Sequence, residues 1–272
     1  MTRQQLIQTI REKRSFLCVG LDLDYDKMPI PGPKPWPDIM LDFVRNVIEQ
    51  TEDLCVAYKI NTAFYEVLQY QGWDLMQSVL DEIPGEVFVI LDAKRGDVGH
   101  SSEKYAQALL DNMPVDAVTV SPYMGRDSIA PFLSREDKWA AILALTSNKG
   151  STDFQMLDVG GKKLYERVLE TAATWGTPDN TMFVVGATHP EHLKTVRSIV
   201  PDHFLLVPGV GAQGGDLKAV CDAAITKDCG LLVNVSRSIM YAEDVRAAAK
   251  HYRQQMEEIL DTVMPPSPAD VK

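Results

Sequence analysis

Two carboxylates and a lysine lie close together in LDAKRGDVG, residues 91–99: Asp92, Lys94 and Asp97. Asp92 and Lys94 are two apart, so on an extended segment both side chains point to the same face. Asp97 follows Gly96, where the chain can turn, and need not share that face. A carboxylate, an ammonium and a second carboxylate arranged in this way hold a lysine charged and aim it at a reacting carbon. The plainer alternative is an ion-pair cluster that only caps the fold. A second group is PGVGAQGGD, residues 208–216, in which Gly209, Gly211 and Gly214 fit G-x-G-x-x-G. A dinucleotide site would need this turn after an early strand, with an acidic ribose ligand ending the next one. Here the next apolar run ends in Asn234–Val235–Ser236. Backbone amides of Gly214 and Gly215, followed by Ser236 and Arg237, suit a phosphate instead, with arginine binding it bidentately.

These residues must be positioned by repeating elements, and the chain supplies them. Eight short apolar runs recur: Phe16–Leu21, Leu54–Ile60, Val87–Leu91, Val115–Val120, Ala141–Leu145, Met182–Val185, Phe204–Val207 and Leu231–Val235. Most are continuous rather than alternating, as in parallel strands covered on both faces. Amphipathic stretches separate them, among them Trp36–Glu52, Glu103–Asn112, Gly161–Thr174 and Pro190–Ile199. The alternation predicts an α/β fold, a single (β/α)8 TIM barrel over residues 1–264, with a doubly wound open sheet as the alternative. Asp24–Pro37, with five prolines, reads as a fixed extended loop. Ser147–Gly160 reads as a lid or a surface loop, and 265–272 as a disordered C-terminal tail.

In a barrel, the chemistry gathers at the C-terminal ends of the strands. Those ends carry Asp22, Lys59, Asp92 with Lys94, Ser121, Ser147, the 208–215 loop, and Ser236 with Arg237. The net charge of −11 argues against a nucleic-acid backbone as partner but leaves room for a local basic pocket. No apolar run is long enough to span a membrane, and the polar first residues do not read as a cleavable signal, so the expected compartment is the cytoplasm. Four cysteines, Cys18, Cys55, Cys221 and Cys229, lack metal-site spacing and are expected as buried thiols. His189 and His192 have no third ligand nearby, and no metal site is expected.

With DAKRGD, AYKIN (57–61), AFYE (63–66), LTSN (145–148), VVGATHPE (184–191) and GVGAQGGD (209–216), the chain resembles the orotidine 5′-monophosphate decarboxylase family. It is similar to the longer bacterial, type 2 branch. The likeness runs from GLDLD at 20–24 to VNVSRSI at 233–239. The D-x-K-x-x-D pattern is shared with sugar-phosphate relatives, whereas its combination with LTSN and GAQGGD is more specific. The resemblance implies a cofactor-free carboxy-lyase that converts orotidine 5′-monophosphate (OMP) to UMP in de novo pyrimidine biosynthesis. It implies that Asp22 and Lys59 hold ribose hydroxyls and that Lys59 joins Asp92, Lys94 and Asp97 in an alternating charge array. Lys94 would stabilise and protonate a C6 vinyl carbanion. Ser147 would contact the ring amide, Gln213 would bridge base and phosphate, and Arg237 would bind the phosphate. Asp97 and Ser101 would enter the site of the second subunit of a homodimer. Ser101 stands where the family has threonine, which keeps the hydroxyl and loses a methyl.

Three rival readings have their own signatures. A sugar-phosphate decarboxylase or aldolase on the same scaffold would use the 92–97 region around Mg2+ and be sensitive to EDTA. A catalytically silent nucleotide-binding barrel would have no need of the acid–lysine–acid triplet. A dinucleotide oxidoreductase would bind NAD.

Overall fold

The computed structural model describes residues 1–28, 36–188, 190–211 and 214–265. Eight strands form a closed parallel barrel: β1 (Leu17–Gly20), β2 (Ala57–Asn61), β3 (Phe88–Arg95), β4 (Ala117–Val120), β5 (Trp139–Leu145), β6 (Thr181–Val185), β7 (Phe204–Pro208) and β8 (Leu231–Val235). Each strand pairs with the next in sequence, and β8 closes on β1 through Leu17–Val233 and Cys18–Asn234. The helices are α1 (Arg3–Lys13), α2 (Trp36–Thr51), α3 (Ala63–Glu66), α4 (Tyr70–Glu82), α5 (Gly99–Ala106) and α6 (Arg126–Leu133). They continue with α7 (Ser151–Phe154), α8 (Leu164–Ala172), α9 (Pro190–Ile199), α10 (Leu217–Ala224), α11 (Arg237–Met240) and α12 (Val245–Val263). The architecture is the expected (β/α)8 barrel.

Continuous apolar runs become strands here because helices cover the barrel outside and side chains fill it inside. Trp139, Phe88 and Phe204 open β5, β3 and β7, and all three are fully buried. The indole meets the two phenyl rings edge-on, at 5.9 and 6.2 Å between centroids. This aromatic layer seals the N-terminal end, so the opposite end is where an opening exists. The four cysteines are buried. Burial pushes the Cys55 thiol up to about 11 and that of Cys221 up to about 12, which leaves neither as a thiolate nucleophile at neutral pH.

The boundaries depart from the sequence expectation in informative places. β3 runs beyond its apolar run to Arg95, so the polar residues 92–95 are still strand. The 103–112 stretch starts earlier, at Gly99, and ends in a π-helical segment, Gln107–Asp111. The polar 147–160 connection contains α7. Of the proline-rich 24–37 stretch, Tyr25–Lys27 is a 3-10 turn and Trp36–Pro37 open α2, where a proline without N–H costs no helical hydrogen bond. Residues 29–35 lie outside the described residues, as do 266–272 of the expected tail. Among the described residues no helix is long and apolar enough to cross a membrane.

Candidate active site

A cavity of about 560 Å3 opens at the C-terminal end of the barrel. Adjacent strands bring charges of alternating sign to its floor. Lys59 of β2 is buried, with Nζ 3.5 Å from Asp22 Oδ1 and 3.1 Å from Asp92 Oδ2. Lys94 Nζ donates to the other oxygen, Asp92 Oδ1, at 2.6 Å. The order Asp22–Lys59–Asp92–Lys94 follows from strand adjacency, since Asn61 of β2 is in register with Asp92 of β3 and Gly20 of β1 with Lys59. Burial alone would discharge Lys59, but Asp92 and Asp22 outweigh it and raise its affinity for the proton. Asp92 shows the converse. Burial disfavours its charge, and Lys59 and Lys94 together hold it well below the usual carboxylate range.

Lys94 does not sit on a regular strand. Its φ is +48°, in the left-handed region, and the β3–β4 register shifts between Leu91 and Arg95. Asp92 and Lys94 are neighbours as their spacing predicts, but a bulge, not pleat alternation, turns the ammonium back onto Asp92.

Across the cavity, Ser147, Pro208, Gly209, Ser236 and Arg237 line the wall. Close backbone approach shapes this side. A Cβ on Gly186 would lie 2.8 Å from the Cα and Cβ of Ser147, and one on Gly215 would lie 2.6 Å from the Ala187 Cβ and 2.7 Å from the Gly209 carbonyl oxygen. Gly209, Gly211 and Gly214 have φ between +77° and +102°, which fold the loop back on itself through Gly214 N–H to Gly211 O at 2.8 Å and Gly215 N–H to Gly209 O at 3.1 Å. Asp216, the last residue of the motif, caps α10 by accepting from the Lys218 N–H at 2.9 Å.

The barrel thus brings Asp22, Lys59, Asp92, Lys94, Ser147, Ser236 and Arg237 to one cavity. Gly214 and Gly215 belong to the same loop but are not among its lining residues, and Gln213 lies outside the described residues. Asp97, Ser101 and Ser121 do not line this chain's cavity either. Asp97 accepts from the Val98 N–H at 2.7 Å, and its backbone is tied to the Ser102 hydroxyl. Several groups of the site were not expected from the sequence. Asn61 and Asn234 line the cavity; Asn61 was signalled by lying two residues beyond Lys59 on the same strand face. Tyr241 stacks on Phe43 at 5.6 Å and clamps the β1 loop, accepting from the Asp24 N–H at 2.8 Å and donating to the Asp22 carbonyl at 3.0 Å. Thr119 of β4 is buried against Asp92.

A closed parallel barrel with an acid–lysine array, anchored on buried Lys59, facing a glycine-rich loop and an arginine defines a TIM-barrel enzyme with its site at the C-terminal strand ends. The profile of the orotidine 5′-phosphate decarboxylase / HUMPS family matches residues 15–252. The chain is 45% identical over 275 residues to orotidine 5′-phosphate decarboxylase of Bacteroides fragilis, covering 97% of this chain and 100% of the relative. Among solved structures, it is similar to Leishmania donovani OMP decarboxylase, with a TM-score of 0.85 and 41% identity over 95% of this chain and 99% of the other. Leishmania donovani UMP synthase matches with a TM-score of 0.85 and 43% identity over 93% of this chain, which spans 55% of that longer protein. The chain belongs to the orotidine 5′-phosphate decarboxylase / HUMPS family.

Proposed function

We propose that this chain decarboxylates OMP to UMP in de novo pyrimidine biosynthesis, in the cytoplasm and without a cofactor. The observation that carries the reading is the sharing of half-buried Asp92 between Lys59 and Lys94, with Lys94 half-open to the cavity. The bond from C6 to the carboxylate breaks, CO2 leaves, and the electron pair stays on C6. The ammonium of Lys94 stabilises that carbanion and delivers a proton to it, then regains one from solvent. A charge fixed in advance needs no reorganisation during the reaction.

Asp92 adds repulsion of the substrate carboxylate. At ~4 Å and an effective dielectric of about 20, this is worth roughly 4 kcal/mol. Enzymes lower barriers by about 8–23 kcal/mol, so Lys94 and the remote phosphate must supply the larger share. Arg237, Ser236 and the 209–215 loop hold the phosphate, Ser147 meets the ring, Gln213 bridges the two, and Asp22 and Lys59 bind the ribose. Residues 1–264 act as one decarboxylase domain. Two copies form a homodimer in which Asp97 and Ser101 serve the opposite site, consistent with their lying outside this chain's own cavity.

The sugar-phosphate alternative, with Mg2+ in the 92–97 region, would require the ion to compete with Lys59 and Lys94 for Asp92, which both already engage. The deciding experiment is the ultraviolet assay of OMP conversion in excess EDTA. Rapid turnover is expected. Inactivity on OMP, together with Mg2+-dependent turnover of a sugar phosphate, would overturn the reading.

A further inference from the structure

We propose that Thr119 is a positioning residue of the site, clasping the β3 bulge so that Lys94 and Asp92 face one another. Between Leu91 and Arg95 the chain advances four residues along β3, while its partner advances two, from Val118 to Val120. The bulge removes the Lys94 N–H from the regular ladder, and a buried donor without an acceptor is costly. The Thr119 hydroxyl, opposite the bulge and 1% exposed, accepts from that N–H at 2.9 Å. The same hydroxyl donates to Asp92 Oδ1 at 2.9 Å, the oxygen that also accepts from Lys94 Nζ.

The closed circuit runs from the Lys94 backbone through one hydroxyl to Asp92 and back to the Lys94 side chain. It holds a lysine at φ +48°, a conformation L side chains rarely adopt. It also fixes which carboxylate oxygen faces Lys94 and which faces Lys59. A hydroxyl does both jobs because it donates and accepts at once. Valine has nearly the same shape and does neither. Thr119 is not among the cavity-lining residues, so it acts through its neighbours.

The inference deepens the decarboxylase reading, and its kinetic readout rests on that reading. Thr119→Val is expected to lower kcat on OMP by roughly 10- to 100-fold, the scale of losing hydrogen bonds of which one is to a charged group. KM and UMP affinity should stay within about two-fold, because the variant leaves the groups that bind ribose and phosphate in place. Thr119→Ser should restore kcat to within about three-fold. Independently of activity, amide hydrogen exchange at Lys94 should be slow in wild type and Thr119→Ser and faster in Thr119→Val. Should Thr119→Val not fold, Thr119→Ala carries the same comparison.

A near-normal kcat without the hydroxyl, a failure of serine to rescue, or unchanged exchange at Lys94 each overturns the proposal. If the wild-type protein does not turn over OMP, the decarboxylase reading fails by itself, and the Lys94 amide still decides the role of Thr119.

Discussion

Lys94 Nζ lies 2.6 Å from Asp92 Oδ1, yet the Lys94 side chain is 48% exposed and that of Asp92 only 12%. The pair therefore spans the boundary between barrel interior and cavity. Asp92 is locked from beneath by Lys59, while the Lys94 ammonium is held at one point and open to whatever binds above.

Lys94→Ala removes the open member of this pair. Turnover of OMP should fall by at least ~10^4-fold, equivalent to about 5.4 kcal/mol of transition-state stabilisation. UMP affinity, measured by calorimetry, should change by less than about ten-fold, since product has no charge developing at C6. Near-normal turnover would remove Lys94 from the mechanism.

Arg237→Ala tests the phosphate assignment. On OMP, kcat/KM should drop roughly 100-fold, the scale of losing charge-assisted hydrogen bonds. On orotidine, which lacks the phosphate, the loss should be under about five-fold. Equal losses on both substrates would contradict the contact.

The proposed sharing of sites between two subunits predicts complementation. Lys94→Ala and Asp97→Asn should each be nearly inactive alone. After mixing and subunit exchange, half of the dimers are mixed and one of their two sites is intact, so activity should recover to about a quarter of wild type. No recovery, with exchange verified by mass spectrometry, would place Asp97 outside the partner's chemistry.

His203 sets a pH limit on stability rather than on catalysis. It is buried beside Phe183, with ring centroids 5.4 Å apart, and neither ring nitrogen has a hydrogen-bond partner among the described residues. Burial first, and the Arg197 charge second, lower its pKa from the ordinary 6.5 to about 4. The unfolded chain therefore takes up the proton first, and stability is lost as pH falls from about 6.5 towards 4. Urea unfolding should show wild type losing about 2 kcal/mol more than His203→Phe between pH 7.5 and pH 5. Parallel losses would remove His203 as the cause.

The eight strands were legible because each is buried on both faces, so local hydrophobicity alone marks it. The 209–215 loop was legible through glycine, the residue its positive φ values favour. The extension of β3 through Asp92–Arg95 was not, because these polar residues face a cavity that exists only once the barrel closes. Nor was the bulge, since the left-handed residue is a lysine and nothing in its local sequence marks it. Thr119 left only a faint trace, a hydroxyl within an apolar run.

Sequence alone determined the alternation of strands and helices, the residue types available for chemistry, and the glycines that let backbone approach backbone. Only the tertiary structure decided that Lys59 and Lys94 meet on opposite oxygens of Asp92, and that Thr119 rather than Ser121 is the β4 hydroxyl beside them. The physical reason is that hydrophobic periodicity and turn chemistry are local. Strand register, bulges and the desolvation that makes a charge pair strong arise from contacts between residues distant in the chain.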